Sequence, residues 1–241
     1  MVGVVWNKAD LHVHSSYSDG SHDIHEILTH VVTNTSLRVI AITDHDSVAG
    51  ALEAQRLAPH YQIEVVVGEE VSTQRGHLLA LFINKLIPAG LSIPETVKRI
   101  HAQGGLAVLA HPLDRLCNSP MRHWPRPTWE DWLSFGLDGL EALNSSQLDP
   151  RASSRARTYA HTLGLALTGG SDAHHKGVIG MGHTLYPGTT AADLRHSLEQ
   201  KTSLAVGGRW NARGYLHWLA SSLFLHAPQP PLRPAPWLYP G

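Results

Sequence analysis

Cysteine is all but missing from this sequence: Cys117 stands alone among 241 residues. No disulfide can form within the chain, and a thiolate metal site is not expected. Long apolar runs are missing as well. Nothing approaches the roughly 18–20 apolar residues that span a bilayer. The first eleven residues lack a basic region followed by an apolar stretch, so no signal peptide is expected. Charge of either sign is not in excess: 19 Lys and Arg face 20 Asp and Glu, a net −1. That balance excludes a generally basic surface for nucleic acid, but not a local basic strip. The expectation is a cytoplasmic globular chain, long enough for one barrel-sized core.

What the sequence does have is histidine, 18 in all, nearly as many as Lys and Arg together. They are dispersed, so no tag explains them. Neutral imidazole is the commonest metal ligand, but a count alone does not separate ligands from a compositional habit; position does.

Short aliphatic runs at 9–13, 38–43, 63–67, 77–83, 106–110, 139–143 and 165–168 read as strands. Helical patterns lie between most of them: 23–34 after Ser21 as a cap, 47–58 after Asp46, 94–103 stopped by Gly104-Gly105, and 151–163. Such alternation means parallel strands with crossover helices; seven strands in about 200 residues suggest a barrel, incomplete or distorted, with 63–67 and 77–83 forming a hairpin. Residues 118–127, rich in Pro and Arg, read as a long loop. Residues 1–207 form the expected barrel. Residues 208–241 are expected to add an amphipathic helix over 210–225 and a Pro-rich extended tail from 227.

Chemistry gathers where the strands end. The first hands over Asp10, His12 and His14, then Asp19. The second gives Asp44, His45 and Asp46, and the third Glu69 and Glu70. The fourth begins with His77, the fifth ends at His111, the sixth carries Glu141 and Asn144, and the seventh ends at Asp172 and His174. In a parallel barrel these ends share one rim. His12 and His14 stand two apart, as do Asp172 and His174, so each pair points to one face of an extended segment. Each piece alone has a bland reading: a turn, a cap or a satisfied core histidine. Their joint occurrence does not, because so many His and carboxylates in one rim are costly without a cation. Imidazole and carboxylate without thiolate suit Zn, Mn or Fe.

The stretches 10–15, 18–20, 42–46, 68–72, 76–81, 110–112 and 169–174 together resemble the PHP family, the polymerase-and-histidinol-phosphatase phosphoesterases. The resemblance implies a distorted (β/α)7 TIM-like barrel holding two or three divalent metals. One metal takes His12, His14, Glu70 and Asp172, and a second shares Glu70 and takes His77 and His111. A third takes Asp19, His45 and His174. Asp10, Asp44 and Glu141 orient ligands, and Asp46 caps the following helix. The implied nucleophile is a hydroxide bridging metals, with no protein nucleophile. Arg115 is the expected ligand of the substrate phosphate, with His175 or Lys176 assisting. His183, in its Gly-rich stretch, is a lesser candidate for the rim. His22, His25, His30, His60, His101, His123, His161, His196, His217 and His226 lack ligand spacing and receive no role.

The motif style resembles the free-standing nucleotide phosphatase and 5′-3′ exoribonuclease branch more than the histidinol-phosphate branch, which usually has another histidine where Asp19 stands. The substrate is therefore expected to be a small phosphate ester or the end of a short 5′-phosphorylated nucleic acid, with no membrane and no obligatory protein partner. The stretch between His111 and Asp172 is short for that branch, and an open bowl suits a strand end. The alternatives are a histidinol-phosphate-type monoesterase, a non-catalytic metal-binding scaffold, and a metal-dependent amidohydrolase. The last would want a strand-end lysine, and none is in place.

Overall fold

A computed structural model describes residues 3–113, 131, 134–149, 151–212 and 214–216. Nine strands are built into one sheet: β1 (Trp6–Asp10), β2 (Leu37–Ile42), β3 (Glu64–Thr73), β4 (Gly76–Leu81), β5 (Leu106–Leu109), β6 (Gly139–Asn144), β7 (Ala166–Gly170), β8 (Gly182–Pro187) and β9 (Leu204–Gly207). Their order across the sheet is β7-β6-β5-β4-β3-β2-β1-β8-β9. Neighbours pair in parallel except where β4 meets β3 and β5 and where β8 meets β1 and β9. The sheet curls until its two ends meet through side chains instead of a ladder. Thr184 Oγ accepts from the Gly169 N–H at 2.9 Å, and Ser203 donates to the Leu167 carbonyl at 2.8 Å. The result is a nearly closed, distorted barrel, as expected.

The helices form for ordinary reasons. In α1 (Ile24–Asn34), Ile24, Ile27, Leu28 and Val31 bury one face at helical spacing. Its cap is Asp23, whose carboxylate accepts from the Glu26 N–H while Glu26 reaches back, a reciprocal box. Ser21, the expected cap, instead gives its N–H to the His174 carbonyl. In α2 (Ala49–Tyr61) the cap position is Val48, with no side-chain cap bond. Asp46 therefore does not cap it; its carboxylate accepts from the Ser72 N–H at 2.7 Å and ties that loop to β3. α3 (Ile93–Ala102) starts from Ser92 and Pro94, and α4 (Ala152–Leu163) ends on left-handed Gly164. The strands β8 and β9 and the helix α5 (Ala191–Glu199) were not expected from the sequence. Residues 212 and 214–216 are helical. The rest of the expected C-terminal helix and the Pro-rich tail lie outside the described residues. No described helix is long and apolar enough to cross a membrane.

The core divides by strand parity. Val39 and Ala41, Val66, Leu79 and Leu81, and Val108 and Ala110 fill the bore with Leu194 and Leu198 of α5. Their neighbours Ile40, Val65, Val67, Leu78, Ala80, Ala107 and Leu109 face the helices. Because side chains alternate, the bore-facing row continues to His45 after β2, to Glu70 on β3, and back to His77 on β4. Glu141 has the same parity on β6, whose Leu140 and Ala142 face outward. Glu69 takes the other side and accepts from the Ile87 N–H at 2.8 Å. Two carboxylates adjacent in sequence thus go to two different layers.

The closure of the sheet tolerates no side chain at Gly169. A Cβ there would strike the backbone carbonyl of His183, which cannot move without moving β8. Gly169→Ala is expected to cost about 1–3 kcal/mol of stability by overpacking. An unchanged urea midpoint would show that the sheet ends are not held in contact.

Candidate metal centre

Glu70 lies at the middle of the rim, with each of its oxygens turned to a different set of partners. Oε2 is 3.1 Å from His12 Nε2, 3.2 Å from His14 Nε2 and 3.3 Å from His45 Nδ1. Oε1 is 2.8 Å from His77 Nδ1 and 3.0 Å from His111 Nε2. Asp172 closes the first set: its Oδ1 is 3.4 Å from His12 Nε2 and 3.2 Å from His14 Nε2. A four-coordinate cation with ligands at about 2.0–2.1 Å holds them roughly 3.3 Å apart. The contacts among His12, His14, Glu70 and Asp172, at 3.1–3.4 Å, fit that size. A second set lies toward the rim edge, where Asp19 Oδ2 is 3.1 Å from His174 Nε2 and 3.8 Å from His45 Nε2.

The described residues therefore offer three clusters whose ligand atoms lie within 4.8 Å of one another: His12, His14, Glu70 and Asp172; His14, Asp19, His45 and His174; and His45, Glu70 and His77. The first matches the expected grouping. The second adds His14 to Asp19, His45 and His174. In the third, His45 stands where His111 was expected, although His111 reaches the Glu70 oxygen that His77 approaches and its Nδ1 is buried without a hydrogen-bond partner.

His12 and His14 are not on β1, as the sequence suggested, but follow it in an extended segment bridged at Val13 to Ala173. His111 and Asp172 have φ of 27° and 53°. These left-handed conformations turn both side chains at the strand ends, and non-glycine residues adopt them only under constraint.

A shell of polar groups fixes the ligand atoms. His12 Nδ1–H donates to Glu141 Oε1 at 3.0 Å, which leaves Nε2 facing the cluster. Glu141 Oε2 accepts from the His111 N–H and from Asn144. Asn144 and Ser146 donate to Asp172 Oδ2 at 3.2 and 2.8 Å, leaving Oδ1 for the cluster. His174 Nδ1–H donates to the Asp172 carbonyl. Asp10 and Asp44 act through the backbone. Asp10 accepts from the N–H groups of His12, Ser171 and Gly180, and Asp44 from the Ser15 N–H and two hydroxyls. Burial pushes the Asp10 carboxyl up to about 6 against those donors. The roles of Asn144 and Ser146 were missed from the sequence. Asn144 stands at a strand end, and that position was its signal.

The remaining candidates lie elsewhere. His175 caps a short 3-10 turn, its Nδ1 accepting from the Gly177 N–H, and its ring lies edge-on to His22. Lys176 pairs with Glu26 of α1 at 2.9 Å. His183 gives its Nδ1–H to the Gly180 carbonyl on β8. Arg115 lies outside the described residues.

Electrostatics show what the cluster lacks. Burial opposes ionised Glu70 and Asp172, yet the surrounding histidines outweigh it and hold both carboxyls far below their usual range. Burial likewise opposes charge on His14, but Asp172 and Glu70 overcome it and push it up to about 10; His12 is raised well above its usual value by the same kind of neighbours. Metal-free, these imidazoles stand in for cations.

A PHP-domain family model matches residues 10–174, and a PHP-associated model matches 150–202. The chain belongs to the PHP family. An uncharacterised protein of Methanocaldococcus jannaschii is 35% identical over 153 residues, 59% of this chain and 84% of that one. A 5′-3′ exoribonuclease of Haemophilus influenzae is 26% identical over 251 residues, 69% of this chain and 90% of that one. Among solved structures, a two-domain Bacteroides vulgatus protein containing a predicted PHP-like metal-dependent phosphoesterase superposes with a TM-score of 0.72 at 17% identity. The match covers 86% of this chain and 66% of that one, a likeness of fold.

Metal entry requires neutral imidazole. The neighbouring carboxylates raise both His12 and His14, so binding of metal at these residues is expected to displace protons. Titration of the metal-free protein with Mn at pH 7 is expected to show that release. Calorimetry in two buffers of different ionisation enthalpy measures this; equal heats in both would overturn it.

Proposed function

We propose that this protein hydrolyses phosphate esters of nucleotides or of short 5′-phosphorylated oligonucleotides, using two or three divalent metals such as Mn, Fe or Zn. The observation that carries the reading is the two-sided environment of Glu70: a single buried carboxylate with one oxygen toward His12, His14 and His45 and the other toward His77 and His111. A carboxylate placed in this way serves two cations at once, the arrangement that two-metal phosphoester hydrolysis requires.

On this reading His12, His14, Glu70 and Asp172 hold one metal. Glu70, His77 and His111 hold a second, with His45 near enough to share it. Asp19, His45 and His174 hold a third, within reach of His14. Bound metals supply Lewis acidity toward the phosphoryl oxygens and lower the pKa of water. The chain's own residues do the rest. Glu141 keeps the His12 proton on Nδ1, Asn144 and Ser146 keep Asp172 Oδ1 turned inward, and the Asp172 carbonyl keeps the His174 proton on Nδ1. Asp10 and Asp44 hold the backbone that presents them. The resemblance to an exoribonuclease over 69% of the chain supports a nucleotide-type substrate.

The test is to incubate Mn-loaded protein with a 5′-phosphorylated oligonucleotide and with AMP, and to resolve the products by mass. Shortening to mononucleotides identifies an exonuclease, and phosphate from AMP alone identifies a monoesterase. Silence on both with metal bound would overturn the proposal. Glu70→Gln is expected to lower turnover by more than about 100-fold and to reduce bound metal, because it removes charge shared by two sites. Glu141→Gln, acting one shell out, is expected to cost about 10–100-fold in metal affinity or turnover.

A further inference from the structure

Residues beyond 202 fall outside both matched stretches, yet the chain does not leave the barrel there. It runs from the end of β9 directly onto the metal rim. The Gly208 N–H donates to the Met181 carbonyl, and the Gly208 carbonyl accepts from the Ser145 hydroxyl at 2.7 Å. The Trp210 N–H donates to the Ser145 carbonyl at 2.8 Å. Its indole Nε1–H donates to the Ser171 carbonyl, also at 2.8 Å, from a buried position. The same indole stands edge-on to His174 at 6.4 Å and packs against Tyr215 at 5.4 Å. The Tyr215 hydroxyl donates to the Ser146 carbonyl at 3.3 Å.

These contacts converge on two turns. One, 144–146 after β6, carries Asn144 and Ser146, which hold Asp172 Oδ2. The other, 171–174 after β7, carries Asp172 and His174 themselves. Asp172 sits in a left-handed conformation at φ 53°, and the peptide that precedes it is the one whose carbonyl the indole holds. A left-handed aspartate is strained and persists only where its surroundings over-determine it. Trp210 supplies one of the bonds that do so.

We propose that residues 208–212, with Tyr215, form a strap that clamps the Asp172–His174 turn into ligating geometry, with Trp210 as its positioning residue. The proposal rests on the metal assignment above. Trp210 touches no ligand atom. It sets the orientation of the Ser171–Asp172 peptide and the pose of the His174 ring, and through them two of the three metal groups. Its two contributions are separable. The indole N–H acts on Asp172 through the backbone, and the ring packs beside His174.

The experiment compares the full chain with Trp210→Phe and Trp210→Ala by Mn titration of the metal-free proteins, counting bound metal and measuring Kd. Thermal melts of the metal-free forms run alongside. Trp210→Phe keeps a ring against His174 and loses the N–H; it is expected to weaken Mn binding about 10-fold, the effect usual for a lost outer-shell partner. Trp210→Ala is expected to weaken it further and to lower the metal count. Two folded variants that bind Mn with wild-type affinity and count, whatever their melting temperatures, would overturn the strap while leaving the metal assignment intact. Wild-type protein that binds no metal would instead overturn the assignment on which the strap rests.

Discussion

The buried carboxylate of Glu70 is the constraint on which this structure depends. Five imidazoles approach it within 3.3 Å, and burial alone would drive it to the neutral form. An ionised carboxylate out of water is several kcal/mol uphill unless it is paired. Here the pairing must come from all sides, and that requirement shapes the barrel. β3 runs ten residues, long enough to carry Glu70 to the rim and reverse into a hairpin. β4 comes back antiparallel between β3 and β5. In an all-parallel barrel the strand beside β3 would begin at the far end. Reversed, β4 begins at the rim and offers His77 at its second residue. The departure from regular (β/α) alternation thus completes the environment of Glu70.

That these side chains gather at one rim was legible because two periodicities agree with topology. Side chains alternate along strands, so the bore-facing parity of Val66 continues to Glu70 and that of Leu79 runs back to His77. Parallel strands deliver their ends to one rim, so residues distant in sequence meet there. Distances between ligands were not legible, since they depend on how tightly the sheet curls. That is why His45 also falls within range of Glu70 and His77 together, beside His111 on the Glu70 oxygen that His77 approaches. Asp46 shows a different failure. An aspartate before Ser47 reads as a helix cap, but the Ser72 N–H on β3 competes for it and wins. Residues 182–187 and 204–207 escaped notice because glycines and a proline punctuate short runs, while α5 announced itself only through its Thr190–Asp193 capping box.

Outer-shell groups were the hardest to read. Asn144 and Ser146 carry no metal-ligand signature, and Trp210 looks like an ordinary apolar position in a C-terminal helix. Their roles arise from tertiary proximity: Asn144 and Ser146 reach Asp172 across 28 and 26 residues, and Trp210 reaches Ser171 across 39. Metal–ligand chemistry restricts the inner set to histidine and carboxylate. Any side chain or backbone group with the right donor can serve behind it, and such positions leave little mark on a single sequence.

Two of the six described non-glycine residues with positive φ belong to the metal cluster itself. His111 and Asp172 are both non-glycine residues in left-handed conformations, and both stand at strand ends facing the cluster. Neither conformation would persist unsupported. The His111 N–H is held by Glu141, which also receives the His12 proton, so one buried carboxylate fixes a strained turn and a ligand's tautomer together. On the other side, Ser171, next to Asp172, gives its N–H to Asp10 and its carbonyl to Trp210. The lower half of the bore is apolar, packed by Val39, Ala41, Leu79, Leu81 and Leu194, with left-handed Phe82 following Leu81. The barrel therefore separates its tasks along its axis. Packing at one end supplies the stability that lets the other end hold like-charged histidines, ionised carboxylates and unfavourable backbone in a single small volume.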